Sequence, residues 1–242
     1  YSKRDYDINW IEKGKYFKEK TLPSYLALID ASTIFQENKL AGNIKIAASK
    51  TISNYIMPNI YYDFLSKYKD VKLDILTINS SSIIDKILKN ELDIGLIEVD
   101  TQNSSLIKEK LADDELIVVS SDEKHPSIAF IDAIKKRWIL REIGSGTREI
   151  FMSKIGETSK ELDIFMQLQD FEEIKTIVLN NKNTVTVLSK VIVKEELKEK
   201  KLFEIKLKNI EFKREFYLVY HKDKTKNLLF ETFIEFIKNR FN

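Results

Sequence analysis

Apolar and polar positions alternate along most of this chain in a pattern that predicts strands and helices in succession. From residue 43 onward, short runs of alternating or continuous apolar residues are followed by stretches with apolar residues at helical spacing. The predicted strands are 43–48, 71–78, 92–98, 116–120, 137–142, 163–169, 184–188 and 212–221. The predicted helices are 51–68, 82–90, 147–155, 172–179, 190–198 and 228–241. This alternation is typical of an α/β fold with a parallel sheet and right-handed crossovers.

The first forty residues follow a different pattern. Apolar residues recur near helical spacing from 11 to 36, with Leu22, Tyr25 and Leu26 on one face, which predicts one long amphipathic helix. Pro23 is expected to kink or divide that helix, because proline lacks a backbone N–H. Periodicity alone leaves open whether the helix packs on its own domain or pairs with a second chain.

Composition narrows the class of protein. Of the 242 residues, 43% are hydrophobic and 32% are charged, a profile typical of a globular protein with a substantial core. No run approaches the ~18 consecutive apolar residues of a membrane span. The sequence contains no cysteine, which excludes disulfides and thiolate metal sites. With a net charge of only +2, the chain lacks the basic excess of a domain that grips DNA by itself, so any DNA-reading part is expected elsewhere.

Patterns that indicate catalysis are missing. The two histidines, His125 and His221, are not spaced as a metal pair, and neither a nucleophile elbow nor a phosphate-binding loop is present. We therefore expect no catalytic residues, no metal site and no cofactor.

The most distinctive segment is 144–148, between a predicted strand and a predicted helix. Glycines allow the backbone to expose successive N–H groups, and the start of a helix adds a positive potential. The hydroxyls of Ser145 and Thr147 add donors, and Arg148 adds a charge. The segment is either an ordinary glycine turn with a helix cap or a site for a small oxyanion or carboxylate. Three kinds of donor within so short a segment favour the anion site.

Two further strand-to-helix junctions carry similar side chains. They contribute Ser49, Lys50, Thr51 and Ile52 at the first junction and Asn79 and Ser80 at the second. Each junction alone is typical of a helix cap, but all lie at the carboxyl ends of predicted strands, where open α/β sheets bind ligands. Glu98 ends the next strand and is unsuited to an anion site. Its carboxylate either points away or selects a ligand that carries an N–H or O–H donor.

Several segments resemble the LysR-type transcription regulators, and the resemblance covers essentially the whole chain. Its most diagnostic part is Asn79-Ser80 followed by 91–98, and it extends to 42–49, to 55–58 and to the linker-helix stretch at 10–14. Residues 1–17 resemble the last strand of a DNA-binding wing running into that helix. Residues 141–148 are especially similar to members associated with sulfur assimilation and the sulfite response.

The resemblance implies a two-lobed α/β fold of the type 2 periplasmic-binding-protein class, preceded by a linker helix. Residues 1–41 would be the wing remnant and linker helix, 42–118 with 217–242 the first lobe, and 119–216 the second lobe. Two crossing strands would join the lobes, with the ligand held between them. The ligand-binding residues would then be Ser49, Lys50, Thr51, Ile52, Asn79 and Ser80 on the first lobe, facing Ser145, Gly146, Thr147 and Arg148 on the second.

The resemblance also implies function and partners. We expect the effector-sensing domain of a cytoplasmic regulator that assembles as a homodimer or tetramer. Its effector would be a small anion, a sulfur oxyanion or a carboxylate, and it would contact promoter DNA only through a winged helix-turn-helix that is absent from this chain. The alternative is a solute-binding protein of the same fold for a small oxyanion. The segment 1–36 favours the regulator, since a solute receptor has no use for a linker helix.

Overall fold

The computed structural model describes residues 3–34, 40–123, 127–128, 130–207 and 210–241, and it opens with one long helix, α1 (Lys3–Ile34). The helix continues through Pro23, so of the two expected effects, a kink or a division, the division does not occur. A proline removes one backbone hydrogen bond, and several helical turns on each side keep the rest. Residues 3–17 are helical, so the wing strand that the resemblance implied is not found there; residues 1, 2 and 35–39 lie outside the described residues.

After α1 the chain alternates between strands and helices. The strands are β1 (Ala41–Ala48), β2 (Asp70–Thr77), β3 (Ile94–Ile97), β4 (Leu106–Ser120), β5 (Ser127–Ile128), β6 (Arg137–Arg141), β7 (Asp163–Leu168), β8 (Thr184–Ser189), β9 (Phe203–Leu207) and β10 (Phe212–His221). The helices are α2 (Lys50–Tyr55), α3 (Met57–Lys67), α4 (Ser80–Leu88), α5 (Phe130–Ile134), α6 (Gly146–Ile155), α7 (Phe171–Asn180), α8 (Lys194–Lys198) and α9 (Leu228–Phe241), with a 3₁₀ helix at Gly156–Glu161.

Most predicted elements are confirmed, and the differences have local causes. The helix expected over 51–68 is two helices that meet at Ile56, because Pro58 in the first turn of α3 has no N–H to continue α2. Strand β4 begins at Leu106, ten residues before the predicted start, because its charged first half lacks a continuous apolar run. The short β5, β9 and α5 were not predicted.

The sheet is mixed, and it has two parallel parts joined by antiparallel strands. The strand order is β2-β1-β3-β10-β4-β8-β6-β7, with β1 parallel to β2 and β3, and β6 parallel to β7 and β8. Strand β10 is antiparallel to both β3 and β4, and β4 is antiparallel to β8. The predicted parallel pairing is confirmed within each part, whereas β4 and β10, the two long strands that connect the parts, run antiparallel to their neighbours.

Buried apolar side chains form a core on each parallel part. In the first core, β1–β3 are covered by α3 and α9 on one face and by α4 on the other. In the second core, β6 and β8 are covered by α6 on one face and by α7 on the other. Both β4 and β10 contribute to the two cores: Leu111 and Phe216 pack in the first, and Leu116 and Phe212 in the second. Among the described residues, no helix is long and apolar enough to cross a membrane.

Candidate functional site

Three helix starts meet between the first core and the second core. Helices α2 and α4 begin at the carboxyl ends of β1 and β2, and α6 begins at the carboxyl end of β6. The junction hydroxyls of Ser49, Thr51, Ser80, Ser145 and Thr147 are all buried. The structure thus brings the three predicted junctions together, as the resemblance to LysR-type regulators implied.

The carboxylate of Glu98 lies at the point where the junctions meet. The hydroxyl of Ser49 donates to its Oε1 (2.6 Å), and the guanidinium of Arg214 donates through one NH group to its Oε2 (2.7 Å). The backbone N–H of Glu98 donates to the hydroxyl of Ser80 (3.3 Å). A Cβ added at Gly146 would lie 2.9 Å from the Cβ of Glu98, so the start of α6 approaches this residue at a distance that only glycine allows. Glu98 therefore points into the junctions and not away from them.

Arg214, on β10, connects the two sides of the site. Its Nε donates to Asp114 Oδ2 (2.5 Å), and the NH group that contacts Glu98 also donates to the hydroxyl of Thr147 (3.0 Å). Its other NH group lies 3.4 Å from the hydroxyl of Thr51. Asp114, on β4, accepts a further hydrogen bond from the Ser189 hydroxyl (2.8 Å). We call Glu98, Arg214 and Asp114, with the hydroxyls of Ser49, Thr51, Ser80, Thr147 and Ser189, the buried polar cluster.

The charges of the cluster are held where water does not reach. The side chains of Arg214, Glu98 and Asp114 are 1%, 3% and 2% exposed. Burial raises the pKa of Glu98, but the Arg214 charge and hydrogen bonds from Ser49 and Thr51 outweigh it and hold this pKa below its usual value. Glu98 is therefore a carboxylate at neutral pH, and two carboxylates share one guanidinium inside the molecule.

Two residues of the first predicted junction have other surroundings. The ammonium of Lys50 donates to the backbone carbonyl of Gln169 (2.6 Å), on the side of the second core. The side chain of Ile52 is buried in the first core. Of this junction, the hydroxyls of Ser49 and Thr51 are the groups that reach the buried polar cluster.

Three further predicted residues lie outside the buried polar cluster as defined above: Asn79, Ser145 and Arg148. Asn79 caps α4 by accepting from the backbone N–H of Ser82 (2.9 Å), and Ser145 occupies the cap position of α6. The guanidinium of Arg148 donates to the carbonyl oxygen of Arg141 (2.9 Å) and to the side chain of Gln167 (2.8 Å), which turns it toward the second core. The positive charge expected from Arg148 is supplied in the cluster by Arg214.

Further contacts connect the two sides at the rim of the site. The hydroxyl of Tyr55 donates to Glu172 (2.9 Å), and burial together with this bond raises the pKa of Tyr55 to about 12. The hydroxyl of Ser81 donates to Glu149 (3.3 Å). With the Lys50 bond, these contacts hold α2 and α4 against α6 and α7, so the structure has a closed arrangement around Glu98.

Sequence reasoning missed three residues of the cluster: Arg214, Asp114 and Ser189. The first two could have been found from the pattern of apolar residues around them in their strands. In β10 the side chains of Phe212, Arg214 and Phe216 lie on one face, because neighbours two apart in a strand share a face, and all three are buried. A charged residue between two buried aromatic residues at that spacing indicates a buried charge that needs a partner. Asp114 stands two residues before Leu116 in β4 in the same way.

We find no metal-binding site in the part of the chain that the structure describes. No group of three or more His, Asp or Glu side chains there is placed to hold a metal ion. His221 ends β10, and His125 lies outside the described residues.

Sequence relatives of the chain include bacterial transcription regulators. It is 25% identical over 228 residues to the HTH-type transcriptional regulator YeiE of Escherichia coli, covering 93% of this chain and 77% of that protein. It is 27% identical over 207 residues to the HTH-type transcriptional regulator CysL of Bacillus subtilis, covering 83% of this chain and 68% of that protein.

Solved structures with a similar fold include two effector or regulatory domains with bound small molecules. The effector binding domain of QuiR in complex with shikimate superposes with a TM-score of 0.70 at 19% identity, covering 83% of this chain and 97% of that one. The Synechocystis CcmR regulatory domain in complex with 2-PG gives a TM-score of 0.71 at 21% identity, covering 82% and 96%. The fold is thus the type 2 periplasmic-binding-protein-like fold of these domains.

The family described as the LysR substrate binding domain matches residues 37–242, which includes every residue of the buried polar cluster. This chain therefore belongs to the LysR substrate binding domain family.

Proposed function

We propose that this chain senses a small anion for a LysR-type DNA-binding transcription regulator, and that the anion binds at the buried polar cluster. The observation that carries the proposal is the meeting of three strand-to-helix junctions at one buried carboxylate. Ser49 and Arg214 donate to the Glu98 carboxylate, the Thr147 hydroxyl accepts from Arg214, and the Ser80 hydroxyl accepts from the Glu98 backbone N–H. Donors that bind a carboxylate of the protein also suit a free carboxylate or a sulfur oxyanion, since charge-assisted hydrogen bonds to Arg and hydroxyls recognise all of them.

The family supports a sensing role and gives no support for catalysis. The complexes of QuiR with shikimate and of CcmR with 2-PG are precedents for a small effector in this fold. A sulfur oxyanion is our first candidate, because residues 141–148 resemble the members associated with sulfur assimilation. We retain four predicted ligand residues in the cluster: Ser49, Thr51, Ser80 and Thr147. Ser145 and Gly146 are retained at the adjoining start of α6, and Arg214 joins them.

The effector acts, in our proposal, on the contact between two lobes. We keep the bounds that the resemblance implied, 42–118 with 217–242 for the first lobe and 119–216 for the second, and treat β4 and β10 as the strands that cross between the lobes and pack in both cores. Bonds such as Lys50 to Gln169 and Tyr55 to Glu172 join them in the closed arrangement. A ligand shifts such an equilibrium only by its difference in affinity for the two states, so the effector must contact both lobes. The junctions provide donors from each.

Self-association is the second part of the proposal. Helix α1 exposes Leu22, Tyr25 and Leu26, which lie three and four residues apart and therefore on one face. An apolar stripe of this kind is stabilised by pairing with a second copy of the helix. We propose that α1 is the linker helix of a homodimer or tetramer in the cytoplasm, and that lobe movement is transmitted through it to winged helix-turn-helix units outside this chain.

The test uses the fluorescence of Trp138. This indole is buried in the second core and packs on Phe151 of α6, with 4.9 Å between ring centroids, so it reports movement of α6. Trp10→Phe removes the second tryptophan signal. Titration with sulfate, sulfite and small carboxylates should give a saturable change that Ser145→Ala with Thr147→Ala abolishes. Ser153→Ala, an exposed hydroxyl on the same helix, should leave the titration unchanged. An unchanged titration in the double variant, or no response to any anion, would contradict the proposal.

A further inference from the structure

The carboxylate of Glu98 has the contacts that an anionic effector would need. Both of its oxygens are engaged, Oε1 by the Ser49 hydroxyl and Oε2 by Arg214, and its side chain is 3% exposed. Its Oε2 also faces the start of α6, 3.2 Å from where a Cβ on Gly146 would stand. The donors of the site are thus occupied by a group that belongs to the chain itself.

Building on the proposed function, we infer that Glu98 is an internal competitor of the effector, which binds by displacing the Glu98 side chain from Ser49 and Arg214. Glu98 follows the last residue of β3, so its side chain is attached to the end of a strand and can turn outward without breaking the sheet. A neutral ligand would leave the contacts of Glu98 in place, whereas an anion replaces them one for one.

The pairing of Arg214 explains why this exchange is feasible. Its Nε is held by Asp114, which is itself fixed by Ser189, so Arg214 stays in position when Glu98 leaves. The NH group released by Glu98 then faces the incoming anion, beside the Thr147 hydroxyl. Exchange of one singly charged anion for another leaves the net charge of the cluster unchanged, and it keeps the released NH group of Arg214 hydrogen-bonded instead of buried without a partner.

Competition of this kind weakens the apparent affinity of the wild-type protein. The apparent Kd equals the intrinsic Kd divided by the fraction of molecules whose site is open. If Glu98 occupies the site in about nine molecules of ten, the apparent Kd is raised about tenfold. Removal of its carboxylate should therefore make the protein a tighter binder of the same anion, which is the opposite of what the loss of a ligand contact does.

The experiment compares sulfate and formate binding to wild-type protein, Glu98→Ala and Glu98→Gln by Trp138 fluorescence and by thermal melting, with chloride at equal ionic strength. We expect Kd for Glu98→Ala to fall about tenfold or more, with Glu98→Gln between it and wild type. We also expect sulfate to raise the Tm of Glu98→Ala more than that of wild type, since tighter binding to the folded state stabilises it more. Glu91→Ala is the control. Glu91 lies shortly before β3 and Glu98 directly after it, but Glu91 is exposed and forms an ion pair with Lys86.

The outcomes separate this inference from the proposed function. If wild type binds sulfate or formate and neither Glu98 variant binds more tightly, Glu98 is not a competitor although the anion site stands. If wild type shows no binding but Glu98→Ala does, the competition is supported and anion sensing by the wild-type protein is refuted. If none of the proteins binds an anion, both proposals are refuted. If Glu98→Ala fails to fold, Glu98→Gln, which retains the shape of the side chain, shows by its Kd whether Glu98 competes with the anion.

Discussion

Replacement of Arg214 by glutamine is expected to lower the free energy of unfolding at pH 7.5 by about 3–5 kcal/mol, the usual cost of removing one partner from a buried ion pair. Arg214 is 1% exposed and donates to both Asp114 (2.5 Å) and Glu98 (2.7 Å). Glutamine is neutral and too short to reach both, so two carboxylates would stay buried without the charge of Arg214 beside them. For a chain of this length the loss corresponds to a fall in Tm of about 6–20 °C.

The loss of stability in Arg214→Gln should also depend on pH in a specific way. In wild type the pKa of Glu98 is lowered on folding, so its contribution to stability is present above its unfolded pKa of about 4.3 and is lost as pH falls through the folded value. Without Arg214, burial is the main remaining influence, and burial raises the pKa of a carboxyl group. The variant should then become more stable as pH falls from above that raised pKa toward 4.3.

Urea denaturation followed by circular dichroism at pH 7.5 and pH 5.5 measures both effects. The deficit of Arg214→Gln relative to wild type should be smaller at pH 5.5. Arg240→Gln is the matched control, because Arg240 pairs with Asp63 at the surface (2.8 Å, both side chains at least 40% exposed) and its loss should cost about 0–1 kcal/mol. The reasoning is refuted if Arg214→Gln costs no more than Arg240→Gln, or if its deficit is equal at the two pH values.

Three further predictions concern packing and assembly. Gly95→Ala should lower the free energy of unfolding by about 1–3 kcal/mol in chemical denaturation, because its Cβ would lie 2.4 Å from Cγ2 of Ile83 in the first core. An unchanged denaturation midpoint would show that α4 shifts to make room without loss of stability. Phe233→Ala should cost about 3–5 kcal/mol, since this ring is fully buried in the first core, whereas Tyr62→Ala, 72% exposed, should cost far less; equal losses would contradict the assigned core. Leu26→Lys, on the exposed apolar face of α1, should lower the mass seen by sedimentation velocity at a fixed concentration without lowering the Tm of the α/β part; an unchanged mass would argue against pairing through α1.

Much of the fold could be predicted from the sequence because the signals are local. The apolar periodicity of β1, β2 and α9 is visible within single segments, and the structure places these elements within two residues of the predicted bounds. The hydroxyls at the helix starts were also predictable, since Ser, Thr and Asn at those positions belong to the chemistry of helix caps. That the carboxyl ends of β1 and β2 lie at one edge follows from their parallel pairing. That the end of β6, in the other parallel part, faces them was implied by the resemblance to LysR-type regulators and not by the residues alone.

Other local signals were present but incomplete. Pro58 marks the start of α3 within the helix predicted over 51–68. The first half of β4 carries charged residues that face neighbouring strands and solvent, so its apolar pattern is interrupted although its backbone pairs with β10 throughout. Pairing with a neighbouring strand stabilises such a segment, and this pairing cannot be predicted from the sequence of the segment alone.

The tertiary structure alone decided what occupies the meeting point of the junctions. By sequence, Glu98 could equally have pointed away, and Arg148 was the expected cation. The fold instead brings Arg214 to Glu98 across 116 residues of chain and to Asp114 across 100, and it turns Arg148 toward the second core. The reason is physical: local periodicity determines which face of a strand a side chain occupies, but only the pairing of β4 with β10, with the start of α6 packed against Glu98, determines which charge it meets there.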